Sequence, residues 1–126
     1  MFFFYFLMED FTQSGLIAIS NGDYDTAIDL LSKSISKDDK DYKAILYRGI
    51  AYCNKGMYSN SINDFNTAEN LRKDEKDEFY YLRGKAYFYN QQLFEAQKDL
   101  EKAKSIEGID EESKNKIEKL LKLSKE

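Results

Sequence analysis

The sequence predicts an all-α chain of stacked antiparallel helix pairs, and three observations carry that prediction. Apolar residues recur at three- and four-residue spacings from Phe11 to Ile106, and no stretch alternates with period two long enough to make a strand. The breaks are very short: Asn21-Gly22-Asp23 and Asn54-Lys55-Gly56 force their flanking segments to be antiparallel neighbours. The chain also repeats itself. A shift of 34 maps Gly15 to Gly49, Gly22 to Gly56, Tyr24 to Tyr58, Ala27 to Ser61, Leu31 to Phe65 and Ser34 to Ala68. A further shift of 35 maps Arg48-Gly49 to Arg83-Gly84, Ala51-Tyr52 to Ala86-Tyr87, Ser61 to Ala96, Phe65 to Leu100 and Ala68 to Ala103, one residue having been added near Lys76.

Each element follows from this pattern. Phe2 to Met8 is an apolar run far shorter than the roughly 20 residues a membrane span needs. It lacks the basic start and small-residue cleavage site of a secretory signal. Residues 1–7 are therefore expected to be a leader: a dispensable extension ahead of a start at Met8, a continuation of the first helix or, least favoured, a membrane anchor. One domain is expected over 8–126, with repeats at about 8–41, 42–75 and 77–110. Within them, Phe11 to Ile19, Ile45 to Tyr52 and Phe79 to Tyr87 form the first helices. Tyr24 to Ile35, Ile62 to Leu71 and Leu93 to Ile106 form the second helices. Gln91 stands where the other units have a turn Gly, which leaves that turn open to a different course. Residues about 110–125 make no fourth pair. Ile117, Leu120 and Leu121 form one stripe among balanced Lys and Glu, as expected of a solvating helix that covers the end of a repeat stack.

The period and these residues resemble the tetratricopeptide repeat, a helix-turn-helix unit that stacks into an α-solenoid. Three slots per unit must be small where helices cross: Gly15, Ala27, Ser34; Gly49, Ser61, Ala68; and Gly84, Ala96, Ala103. Only 24 of 126 residues are Gly, Ala or Ser, so nine small residues in nine slots is no effect of composition. The family's closing Pro is absent; Asp39, Lys73 and Gly108 stand in its place. Ala18 replaces the aromatic found as Tyr52 and Tyr87, which predicts thinner packing in the first unit.

Composition narrows the function. There is no His, Trp or Pro and a single Cys, which removes a disulfide framework, a zinc knuckle and a His-based dyad. A net charge of −4, from 19 basic and 23 acidic residues, gives no basic excess for nucleic acid. No GxxxxGK or GxGxxG occurs, and the acidic loops at Asp38–Asp41 and 73–77 lack the spacing and turn Gly of a cation loop. We therefore expect no enzyme, cofactor, metal or small-molecule substrate, no membrane partner, and a cytoplasmic location with the nucleus left open.

What remains is a surface. The resemblance implies that first helices line a concave groove, with Glu9, Thr12, Leu16 and Ile19 in unit one. Unit two contributes Lys43, Leu46, Ile50, Cys53 and Asn54; unit three contributes Glu78, Tyr81, Lys85, Phe88 and Tyr89. Such a groove suits a peptide or helix of a partner protein with bulky apolar side chains. Family members that clamp acidic chaperone C-termini use Lys, Asn and Arg in slots that here hold Thr12, Leu16, Tyr47, Glu78 and Leu82, so that clamp is not expected. Arg48 and Arg83 are expected to be structural. The alternative is an oligomerisation subunit that buries its aromatics by self-association, the leader being one route to a homo-oligomer.

Overall fold

Four aspartates start four of the helices. In this computed structural model, which describes residues 10–72 and 79–126, the Asp10, Asp23, Asp41 and Asp110 carboxylates accept from the backbone N–H three residues on, at 3.1, 3.3, 3.1 and 2.8 Å. Each satisfies a donor that the first helical turn leaves without a partner. The described residues form seven helices: α1 Phe11–Ser20, α2 Tyr24–Lys37, α3 Tyr42–Lys55, α4 Tyr58–Leu71, α5 Phe79–Tyr89, α6 Leu93–Lys104 and α7 Glu111–Ser124. The leader at 1–7, Glu9, Lys73 and Glu78 lie outside the described residues.

The three turns within pairs are alike. Gly22 and Gly56 adopt left-handed φ of 76° and 86°, and each turn closes with two backbone hydrogen bonds, one spanning three residues and one spanning five. Gln91 also adopts a positive φ, 63°, and makes the same pair of bonds: its N–H to the Phe88 carbonyl at 3.0 Å, and that of Gln92 to Tyr87 at 2.9 Å. The third turn therefore keeps the course of the other two despite losing its Gly. The two hydrogen bonds hold a side-chain-bearing residue in a region that L-residues ordinarily avoid.

Packing is in two layers. α1 pairs with α2, α3 with α4 and α5 with α6. Each second helix also packs on the next first helix, and the first helices touch across repeats, α1 to α3 and α3 to α5. α7 takes the next place in that inner layer, against α6 and α5. The crossings are tight at the small residues. A Cβ added at Gly15 would lie 2.6 Å from Leu31 Cγ, at Gly49 2.7 Å from Phe65 Cε1, and at Gly84 2.9 Å from Leu100 Cγ. Ala27, Ala68, Ala96 and Ala103 are buried, and the Ser61 hydroxyl donates to the Gly49 carbonyl at 2.7 Å.

The core runs through the junctions between units. Ala18, Ala27 and Leu31 cluster with Ala44 and Ala51 of α3. Phe65 and Ala68 cluster with Phe79 and Ala86 of α5, and Leu100 and Ala103 with Ile117, Leu120 and Leu121 of α7. Ile17 occupies the slot of Ala51 and Ala86 yet is 53% exposed, because those two alanines pack on a preceding unit and no unit precedes α1 among the described residues. Two arginines tie the layers together. Arg48 makes two hydrogen bonds with Asp64, both 2.8 Å, and reaches Ser32 of the preceding pair at 3.2 Å. Arg83 does the same with Asp99 at 2.6 and 2.9 Å, and reaches Asn66 at 2.9 Å and Glu69 at 2.8 Å.

Candidate functional site

The face of interest is the side of α1, α3 and α5 turned away from the second helices. Residues in equal slots form rows across it, since side chains 34 or 35 apart occupy the same place on successive units. The row of Leu16, Ile50 and Lys85 is partly exposed throughout, as is the row of Ile19, Cys53 and Phe88. Asn54 and Tyr89 are exposed beside them, and Lys43 is exposed at the start of α3.

A third row belongs elsewhere. Leu46 is only 2% exposed and sits in the core cluster with Phe65 and Phe79, so it is not available to a partner. The Thr12 hydroxyl in the same row lies 2.8 Å from that of Ser34 and 3.3 Å from the Asp41 carboxylate, at the seam of α1, α2 and α3. Tyr81 packs against the cluster formed by α6 and α7. This row faces the neighbouring unit because consecutive first helices touch directly, and the repeat period alone does not reveal where that contact falls.

Aromatic rings continue off the face. Phe88 meets Tyr89 edge-on at 5.3 Å between centroids, and Tyr89 stacks on Tyr58 at 5.9 Å. Met57, Tyr89, Leu93 and Phe94, the last 77% exposed, extend this apolar surface along the turns of the second and third units. The helical periodicity puts Leu93 and Phe94 on a second helix and does not mark them as exposed. The signal was two adjacent bulky residues directly after a turn, which one buried stripe cannot accommodate.

Electrostatics on the face are simple. Burial pushes the Cys53 thiol up, against the nearby Lys85 ammonium and a hydrogen bond with Ser61, so it is a poor nucleophile. Among the described residues, no group of His, Cys, Asp or Glu is placed to hold a metal ion, and no helix is long and apolar enough to cross a membrane. Behind the face, burial works against the Arg83 charge, but hydrogen bonds with Asp99 and Glu69 outweigh it and raise its pKa. The same bond holds the Glu69 carboxyl below its usual value. Asp64 and Asp99 went unmarked in the sequence, although both stand sixteen residues after an Arg-Gly arginine in two consecutive units.

Residues 77–110 match the tetratricopeptide repeat family profile. No curated protein matches the chain. Among solved structures, the first TPR domain of the human RPAP3 protein is 28% identical, with 91% of this chain and 92% of that one covered and a TM-score of 0.77. The first TPR of Spaghetti (RPAP3), bound to the HSP90 peptide SRMEEVD, is also 28% identical, covering 92% and 94% with a TM-score of 0.80. The Yersinia enterocolitica type III secretion translocator chaperone SycD shares the fold at 17% identity, covering 91% and 81% with a TM-score of 0.81. The third unit of this chain is thus a tetratricopeptide repeat, and the described chain has the fold of a three-repeat TPR domain closed by a capping helix.

Proposed function

We propose that the chain is a non-catalytic protein-interaction module whose first-helix face receives a peptide or helix from a partner protein. One observation carries this reading: Ile50, Cys53, Phe88 and Tyr89 form an apolar and aromatic strip that the solenoid's own packing leaves partly open. Helices fixed in place before a peptide arrives spare the receptor most of the ordering cost of binding. The Spaghetti domain supports the reading, since a protein of this fold and 28% identity holds a peptide. The chaperone-type carboxylate clamp is not part of it, because its slots hold Thr12, Leu16, Tyr47 and Leu82, with Glu78 outside the described residues.

Panning a displayed peptide library on the full chain tests the reading. Binders should be lost on replacing Ile50 and Phe88 by Ser, and kept on replacing the exposed outer residues Asp29 and Asn63. Equal loss from both sets would move the interface off this face. A second reading, self-association, is favoured by the exposed edge of Met57, Tyr89, Leu93 and Phe94. Sizing across concentration separates the two, since only self-association demands an oligomer.

A further inference from the structure

Lys85 is at odds with its surroundings. It lies in the middle row of the face, one turn after Tyr81 and one turn before Phe88 and Tyr89, facing the neighbourhood of Cys53. The two well-covered arginines nearby both have carboxylates, Asp64 for Arg48 and Asp99 and Glu69 for Arg83. Several exposed lysines also have them: Lys33 with Asp29, Lys55 with Asp25, Lys116 with Glu112. Partly buried Lys85 has none among the described residues. A half-buried lysine in a row of apolar side chains, with no carboxylate of its own, leaves its ammonium for an arriving anion to pair with. The other charge that the register places on this face among the described residues, Lys43, is also a cation without an ion pair.

Resting on the reading of this face as the binding surface, we propose that its partner is a peptide segment with an internal Asp or Glu flanked by bulky apolar residues. The acidic side chain pairs with Lys85, and the apolar flanks cover Ile50 on one side and Phe88 and Tyr89 on the other. The internal position follows from the layout. Apolar residues stand on both sides of Lys85 in the register. Among the described residues of α1, α3 and α5, its row and the two beside it hold no Arg and no second Lys, and Lys116 of α7, near Tyr81, is already paired with Glu112.

The test pans one displayed library of random peptides in parallel against the full chain, K85Q and K85E, each checked for helicity and melting temperature. The full chain should enrich Asp or Glu at one fixed place between apolar residues. K85Q should bind those peptides about tenfold more weakly, and K85E should enrich Lys or Arg at the same place. Should K85E not fold, K85Q decides alone. Amidating the C-terminus of a selected synthetic peptide should leave its affinity unchanged; a loss would overturn the internal assignment. Binders that need Ile50 and Phe88 but show no acidic preference and no loss in K85Q would sink this proposal while the binding face stands. A library yielding no binder that depends on Ile50 and Phe88 would overturn both, and self-association abolished by replacing those residues would assign the face to a second copy.

Discussion

At Gln91 the chain spends conformational energy to keep a turn that Gly56 makes freely. The left-handed backbone costs a residue with a Cβ about 1–2 kcal/mol, while Gly in its place gives back part of the gain through a more flexible unfolded chain. Gln91→Gly should therefore raise stability by about 0.5–1 kcal/mol, read as a rise of a few degrees in melting temperature. Gly56→Ala should lower it, and since a Cβ there meets nothing within 4 Å, the loss would be purely conformational. A second residue-scale consequence concerns acid. Hydrogen bonding to Arg83 depresses the Glu69 carboxyl from its usual 4.5, so its contribution is complete above that value and fades as pH falls through the lower, folded one. The difference in melting temperature between the parent chain and Glu69→Gln should be present at neutral pH and shrink steadily below about pH 4.5.

At the level of the helix, the crossing of α3 and α4 is set by the absence of a side chain at Gly49. Gly49→Leu drives atoms into the Phe65 ring and should cost about 1–3 kcal/mol or more in denaturant unfolding, with Ala68→Leu similar. A neutral outcome for both would overturn the packing described. These crossings were readable in advance because small residues recur with the period of the fold, a constraint that only close backbone approach imposes. The turn at Gln91 was not, since the hydrogen bonds to Phe88 and Tyr87 override the local preference of Gln. Nor was the place of Leu46 and Thr12: period assigns a residue to a helix and a row, but the row facing the next unit depends on how adjacent helices lean. The partners of Arg48 and Arg83 were readable, because the spacing to Asp64 and Asp99 repeats. α7 belongs to the same scale. Deleting residues 110–126 uncovers Leu100, Ala103 and Phe88 and should lower the melting temperature and promote association, measured by sizing.

For the molecule as a whole, the outcome that matters is where a partner lands. Replacing Ile50 and Phe88 should weaken binding at least tenfold, while Asp29 and Asn63 variants stay within about twofold, by titration with a library-selected peptide. On the proposed reading without a carboxylate clamp, the peptide SRMEEVD should bind at least about tenfold more weakly than selected peptides. Tight binding of SRMEEVD would show that another arrangement replaces the clamp.

The arginine links make the array mechanically uneven. Arg83 bonds to α4 through both Asn66 and Glu69, whereas Arg48 reaches α2 through Ser32 alone, and Ser14 fills the corresponding slot of α1. The first joint also has Thr12 to Asp41 and Lys55 to Asp25, but the latter pair is solvent-exposed and so contributes less than the covered Arg83 bonds. Stacked repeats couple only to nearest neighbours, so the weaker joint decides where opening begins. Amide hydrogens of α1 and α2 should exchange first, as one cooperative block. Those of α4 to α6 should persist longest, and Arg83→Leu should even out the gradient. The proposed binding strip at Ile50 and Phe88 then straddles the joint that opens last, so a partner would meet a surface already rigid while the first pair frays and re-forms beside it.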